Sequence, residues 1–318
     1  MTRLFHTTDL HASELVWRKT LSSASHYEAD VVLLLGDLTG KAMVPFVRVG
    51  ESEWYCAPYG KRETMLSKEQ VQEKKAVFRN KGWYVFEARP SEVEELKTNP
   101  AKREELFLTL MRRTLDEMLS EIDETRFPPG VKMIVCPGND DVFEIDDVIL
   151  KHERVVYPLK RVVWLDSKRQ LVSCEYVNPT PWNTPRECSE EKLEGRLEKE
   201  IERADGETDS LVCNFHAPPY DSGLDRAPKL DKDLKPVMDF GNPVFESVGS
   251  RAVLKVIREF QPLLGLHGHI HESPAHAKIG RTVCMNPGSE YQIGTISGYV
   301  IDLPDDPKEE VKYWRVTG

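Results

Sequence analysis

The chain has 318 residues, with 43 basic side chains against 53 acidic ones for a formal net charge of −10, 40% hydrophobic content and six cysteines. That is a globular composition, long enough for one large domain or a core plus a smaller unit, and it excludes small disulfide scaffolds and collagen-like chains. The acidic balance opposes general attraction to nucleic acid or anionic membrane, while leaving room for a local cationic site.

The start reaches the charged Asp9 too early for a signal-peptide core, and no apolar run approaches the ~20 residues of a membrane span, so the expected location is the cytoplasm. Cys56, Cys136, Cys174, Cys188, Cys213 and Cys284 are scattered without a Cys-x-x-Cys pair and read as reduced, buried thiols. In chain order, Leu4-Phe5 opens as a buried strand, an amphipathic helix runs from Ala12 to about Ser25, and Val31 to Leu35 is a second strand, too short for a helix. From about Pro45 to Pro128 this rhythm breaks for longer than a usual connection. There Phe46-Val47-Arg48-Val49 and Glu53-Trp54-Tyr55-Cys56 flank Gly50-Glu51-Ser52 as a hairpin, and Ser67 with Gln70 resembles a capping box opening a helix that Gly82 closes. Asn99-Pro100 then opens a second long helix with an apolar stripe of Leu108, Met111, Leu115, Met118 and Ile122. We expect an inserted α+β cap over residues 45–128, with 1–44 and 129–318 forming the core. The pairs Trp54-Tyr55 and Trp83-Tyr84 are expected to pack the cap's own interior.

Val131 to Cys136 resumes as a strand, and the proline-rich stretch Asn178 to Pro185 is a loop. A charged helix from Glu190 to Arg203 carries Leu193, Leu197 and Ile201 on one face. Leu211 to Cys213, a helix over about Ser250 to Phe260, and Leu263 to Leu266 complete the alternation, which predicts an α/β core with largely parallel strands. The tail strands near Thr282 to Met285, Gly298 to Leu303 and Val311 to Val316 are expected to be antiparallel.

The apolar runs end on chemistry: Asp9-Leu10-His11, Gly36-Asp37, Gly138-Asn139-Asp140-Asp141, Asn214-Phe215-His216 and Gly268-His269-Ile270-His271. Ligands in open α/β sheets sit outside the carboxyl ends of strands, so these five loops should converge on one crevice. Extended backbone would put Asp9 and His11 on one face, and likewise His269 and His271. Two carboxylates, one amide and four imidazoles are too many ligands for one tetrahedral zinc, and the lack of thiolate argues against a structural site. A dinuclear site fits better, with mixed N/O ligation suited to Mn²⁺, Fe or Zn²⁺. The four positive charges of two such ions, which Asp9 and Asp37 reduce to about two, leave a cationic crevice that suits an anionic phosphoester. His6 is expected to be structural, His267 to orient a ligating imidazole, and Arg186, Arg226 and Tyr220 to have no assigned role.

The ordered set Asp9-x-His11, Gly36-Asp37, Gly138-Asn139, His216 and Gly268-His269-x-His271, spanning nearly the whole chain, resembles the calcineurin-like metallophosphoesterase superfamily. The resemblance implies a two-sheet β-sandwich flanked by helices (α/β/β/α). It also implies that Asp9, His11 and His271 hold one metal, that Asn139, His216 and His269 hold the other, and that Asp37 bridges them. Asn286-Pro287-Gly288-Ser289 resembles the turn that follows the last metal motif. One departure stands out: where the family has Gly-Asn-His followed by an acid, this chain has Asp140 and then Asp141. The missing histidine normally contacts the scissile phosphate, and Asp140, held ionised beside two cations, is a poor proton donor. The expected activity is hydrolysis of a small-molecule or nucleotide-like phosphoester, diester or activated monoester, by attack of a metal-bridging hydroxide, with Asn139 and Asp140 as catalytic residues and no covalent intermediate. The alternatives are a non-catalytic metal-binding scaffold of the same fold and a nuclease, the latter disfavoured by the acidic balance.

Overall fold

A computed structural model of the chain describes residues 1–122, 127–306 and 309–318; residues 123–126 of the expected insertion lie outside the described residues. Strand β1 (Thr2–Thr7) runs into a tight turn, and α1 (Glu14–His26) begins where the Ser13 hydroxyl accepts the Val16 N–H. β2 (Val31–Leu35) is buried throughout, as an uninterrupted valine and leucine run requires. β3 (Ala42–Arg48), β4 (Trp54–Cys56), β5 (Glu63–Met65), α2 (Lys68–Asn80) and β6 (Trp83–Ala88) then build a separate four-stranded sheet in the order β5-β4-β3-β6, with α2 capped by Ser67. The expected hairpin is present, with Val47 opposite Tyr55. α3 (Pro90–Thr98), which the sequence reading missed, is followed directly by α4 (Pro100–Glu121), whose first turn the Asn99 side chain caps.

The chain continues through β7 (Lys132–Cys136), α5 (Asp146–Leu150), β8 (Val155–Val156), β9 (Val163–Trp164), β10 (Gln170–Cys174), α6 (Glu190–Ile201) and β11 (Leu211–Phe215). Two short antiparallel ribbons follow, β12 (Arg226–Pro228) with β15 (Phe245–Ser247) and, between them, β13 (Met238–Asp239) with β14 (Asn242–Pro243). α7 (Arg251–Phe260) leads to β16 (Leu264–Leu266), β17 (Ala275–Ile279), β18 (Thr282–Asn286), β19 (Ser297–Leu303) and β20 (Lys312–Thr317).

Two six-stranded sheets result, β20-β19-β1-β2-β7-β8 and β17-β18-β16-β11-β10-β9. Their facing sides share one apolar cluster, with Leu4, Leu33 and Ile134 from the first and Leu171, Val212 and Leu266 from the second. Helices α1, α4 and α5 cover the outer face of the first sheet, and α6 and α7 that of the second. The order of layers is therefore α/β/β/α. α4 lies within the expected insertion, yet its Leu110, Met111, Leu115, Met118 and Leu119 join the same cluster as Val32, Leu34 and Met133 of the first sheet. The four-stranded sheet keeps its own core of Val44, Phe46, Trp54, Cys56, Met65, Val71 and Phe78. β19 and β20 are antiparallel as expected; β18 is antiparallel to the β17 edge strand on one side and parallel to β16 on the other, because β17 reverses the chain first.

Candidate metal centre

β1, β2 and β7 run parallel to one another in the first sheet and β11 and β16 in the second, and side chains that follow these strands converge. The ligand atoms of Asp9, His11, Asp37 and His271 lie within 4.8 Å of one another, as do those of Asp37, His216 and His269; Asp37 belongs to both groups. His11 Nε2 stands 3.8 Å from Asp37 Oδ2, His216 Nε2 3.5 Å from Asp37 Oδ1, and His271 Nε2 3.6 Å from Asp9 Oδ1. The chain just after Asn139 meets the same carboxylate, as the N–H of Asp140 donates to Asp37 Oδ1 at 2.9 Å.

The pairing of Asp9 with His11, and of His269 with His271, arises differently from the extended-strand expectation. β1 stops at Thr7, and Asp9, His11, Ala12, Asp37 and His269 all take left-handed backbone with φ of 53°, 44°, 57°, 43° and 67°. Tight turns, rather than strand alternation, aim these side chains at one point. Non-glycine residues adopt this region at a cost of order 1–3 kcal/mol each, and such strain concentrates where function requires it. Glycine is needed where loops nearly touch. A Cβ on Gly138 would lie 2.3 Å from Asp37 Oδ1 and 2.7 Å from His216 Nε2, and one on Gly36 would lie 2.2 Å from the His216 ring.

Several donors have lone pairs that the described residues leave unused. Asn139 Oδ1 and both ring nitrogens of His216 are buried without a hydrogen-bond partner. Buried polar atoms are normally satisfied, and cations at this point would satisfy the Asn139 oxygen and one nitrogen of His216. The ring of His11 is oriented for the same purpose, as its Nδ1 donates to the Thr39 carbonyl at 3.1 Å and so makes Nε2, 3.2 Å from His271 Nε2, the acceptor nitrogen. The Asn139 amide nitrogen donates to Thr184 Oγ1 at 2.9 Å, which turns its oxygen the other way.

The electrostatics are those of a cluster lacking positive charge. Burial, and then the neighbouring Asp140 carboxylate, push Asp37 above the usual carboxylate range. Burial opposes charge on His216, but Asp37 and Asp9 outweigh it and carry the imidazole up. Asp9 goes the other way, since the neighbouring imidazoles of His271, His216 and His11 overcome its burial. His269, desolvated and near His216, falls to about 3. Such a set has the composition of a site that could hold a metal ion.

Residues outside the motifs hold the loops together. Asp141, fully buried, accepts the N–H groups of Leu38, Thr39 and Gly138 and the Thr39 hydroxyl at 2.6–2.9 Å, clamping the Asp37 and Asn139 loops to each other. Arg186, left without a role by the sequence reading, is fully buried; it donates to the carbonyls of Asp141 and Val142 and to Asp146. Ser289, in the expected closing turn, donates its hydroxyl to the Asp9 carbonyl at 2.7 Å. His6 is buried and bonded to the His267 carbonyl. His267 bonds the carbonyls of Phe215 and Ala217, on either side of His216, so it steadies that backbone rather than any ligand ring. Tyr220 stacks on Arg251, and Arg226 bonds the Phe245 carbonyl; neither belongs to the donor groups. Lys41, unremarked in the sequence, pairs with Asp140 at the mouth of the centre. No helix among the described residues is long and apolar enough to cross a membrane.

No family model matches the chain. Over 163 residues it is 29% identical to an uncharacterized protein of Methanocaldococcus jannaschii, MJ1162, a stretch that makes up 49% of this chain and 64% of that protein. In structure it is similar to TT1561 of Thermus thermophilus, at 15% identity over 100% of this chain and 98% of that one, with a TM-score of 0.54. A dimetal phosphatase from Danio rerio aligns at 9% identity over 99% of this chain and 98% of that one, with a TM-score of 0.45. With two sheets packed face to face between helices and the five motif loops gathered at one rim, the chain shares the fold of TT1561 and has the α/β/β/α architecture that its motifs imply.

Proposed function

We propose that this protein is a phosphoesterase dependent on two divalent ions, acting on a phosphodiester or an activated phosphomonoester. The observation that carries the reading is the shared position of Asp37 in two donor groups, next to the unsatisfied Asn139 oxygen and His216 ring. Asp9, His11 and His271 would hold one ion, Asn139, His216 and His269 the other, and Asp37 both. Ions of this kind, when bound, lower the pKa of a coordinated water and polarise a phosphoryl oxygen; Mn²⁺, Fe and Zn²⁺ all suit the donors. The protein's part is preorganisation. Asp9 and Asp37 offset cationic charge, Thr39 fixes the His11 tautomer, Thr184 fixes the Asn139 amide, and the Asp140 N–H fixes the Asp37 carboxylate. We place the protein in the cytoplasm and assign the four-stranded sheet beside the core to substrate selection.

The test is turnover of aryl phosphomonoesters and phosphodiesters by Mn²⁺-loaded protein, before and after chelation, and in His216→Ala. The reading predicts activity that chelation abolishes, that Mn²⁺ restores, and that falls by more than about a hundredfold in the variant. Loaded protein that turns over none of these substrates would overturn it in favour of a metal-binding scaffold.

A further inference from the structure

Lys41 is a cation on an unusually fixed base. On its N-terminal side Thr39 is tied by backbone and hydroxyl to Asp141, and the Gly40 N–H donates to the Tyr84 hydroxyl at 2.7 Å. A Cβ on Gly40 would lie 2.1 Å from the Gly82 carbonyl oxygen, so the two segments are in contact there. On its C-terminal side Ala42 opens β3 and is registered against Trp83 of β6. The backbone is therefore anchored on both sides, while the side chain is 52% exposed and reaches Asp140. Asp140 is anchored in turn through its N–H to Asp37 Oδ1, and its carboxylate is only 15% exposed.

The pair borders the centre, because Asp140 directly follows Asn139, its N–H donates to Asp37 Oδ1, and its carboxylate holds Lys41. Behind burial, Lys41 is the largest contributor holding His11 below its ordinary range, and Asp140 stands in the same place for Asp37. The Lys41 side chain is 52% exposed, against 23% for His271 and at most 3% for Asp9, His11, Asp37 and His216, so an anion arriving from solvent has the ammonium within reach.

Resting on the phosphoesterase reading, we propose that the Lys41–Asp140 pair is the charge filter of the site: Lys41 contacts a phosphoryl oxygen of the substrate, and Asp140 holds the ammonium in place while penalising a second negative charge. The ammonium presents three N–H donors, of which Asp140 uses part, so the remainder are available to an anionic oxygen. The carboxylate repels an incoming anion in proportion to that anion's charge. A phosphodiester carries one charge and a phosphomonoester close to two, so the filter favours the diester.

The experiment measures binding of dimethyl phosphate and phenyl phosphate to Mn²⁺-loaded protein by calorimetry, together with metal content, for the wild type and for Lys41→Gln, Lys41→Arg and Asp140→Asn. Losing a charge-assisted hydrogen bond weakens binding by roughly ten- to a hundredfold, so Lys41→Gln should lose that much for both anions with metal content unchanged, and Lys41→Arg should recover most of it. Asp140→Asn should tighten phenyl phosphate several-fold more than dimethyl phosphate. Unchanged affinities in Lys41→Gln, or equal shifts for the two anions in Asp140→Asn, overturn the filter alone. A loaded wild type that binds neither anion overturns the phosphoesterase reading and the filter with it.

Discussion

At the scale of single residues, the centre is built by close approach, and glycine marks where. Gly138 has no room for a methyl group, because Asp37 Oδ1, the Asp37 N–H and His216 Nε2 all lie within 2.7 Å of where its Cβ would be. Gly138→Ala should therefore cost about 1–3 kcal/mol of stability and lower metal content, read by thermal melting and elemental analysis. Gly195, in the exposed face of α6 with nothing near it, is the converse case, and Gly195→Ala should stabilise by about 0.5–1 kcal/mol with metal content unchanged. All seven candidate ligands were legible in the sequence because each follows an apolar run, and strand ends gather at one rim. Lys41, Thr184 and Arg186 were not legible. Their roles depend on contacts with the Asn139–Asp146 loop, distant in the chain, and no local pattern encodes such a contact.

At the scale of elements, the buried runs and the helix caps were the readable part: Ser67, Asn99 and Ser250 each cap the helix expected of them. β10 escaped notice because its buried residues include Gln170 and Ser173, which blur the apolar signal. The loop over 178–187 carries its own clamp. Glu187 accepts the N–H and hydroxyl of Thr180 and of Thr184 at 2.6–2.8 Å, and these bonds hold its carboxyl below the ordinary range despite the opposing effect of burial. A depressed folded-state pKa contributes stability that is present above the unfolded value, near 4.5, and is lost as pH falls through the folded value. The hydrogen-exchange protection of this loop, relative to the intrinsic rate at each pH, should therefore fall on acidification below about pH 4.5. In Glu187→Gln the loop should be loose already at neutral pH; an acid response that persists unaltered in that variant would contradict the clamp.

At the scale of the whole molecule, the donors divide between the sheets. Asp9, His11, Asp37 and Asn139 follow strands of the first sheet, and His216, His269 and His271 follow strands of the second. Bound ions would therefore join the two halves of the sandwich as well as serve chemistry. Ligand present at a hundred times its dissociation constant stabilises by about 2.7 kcal/mol, so chelation should lower the melting temperature by several degrees, and Mn²⁺ should restore it. The most direct measurement is anomalous diffraction from crystals of the Mn²⁺-loaded protein. The account predicts two peaks at the shared rim, one in contact with Asp9, His11 and His271, the other with Asn139, His216 and His269, and both with Asp37. Peaks elsewhere, or none at all from protein loaded to saturation, would contradict it.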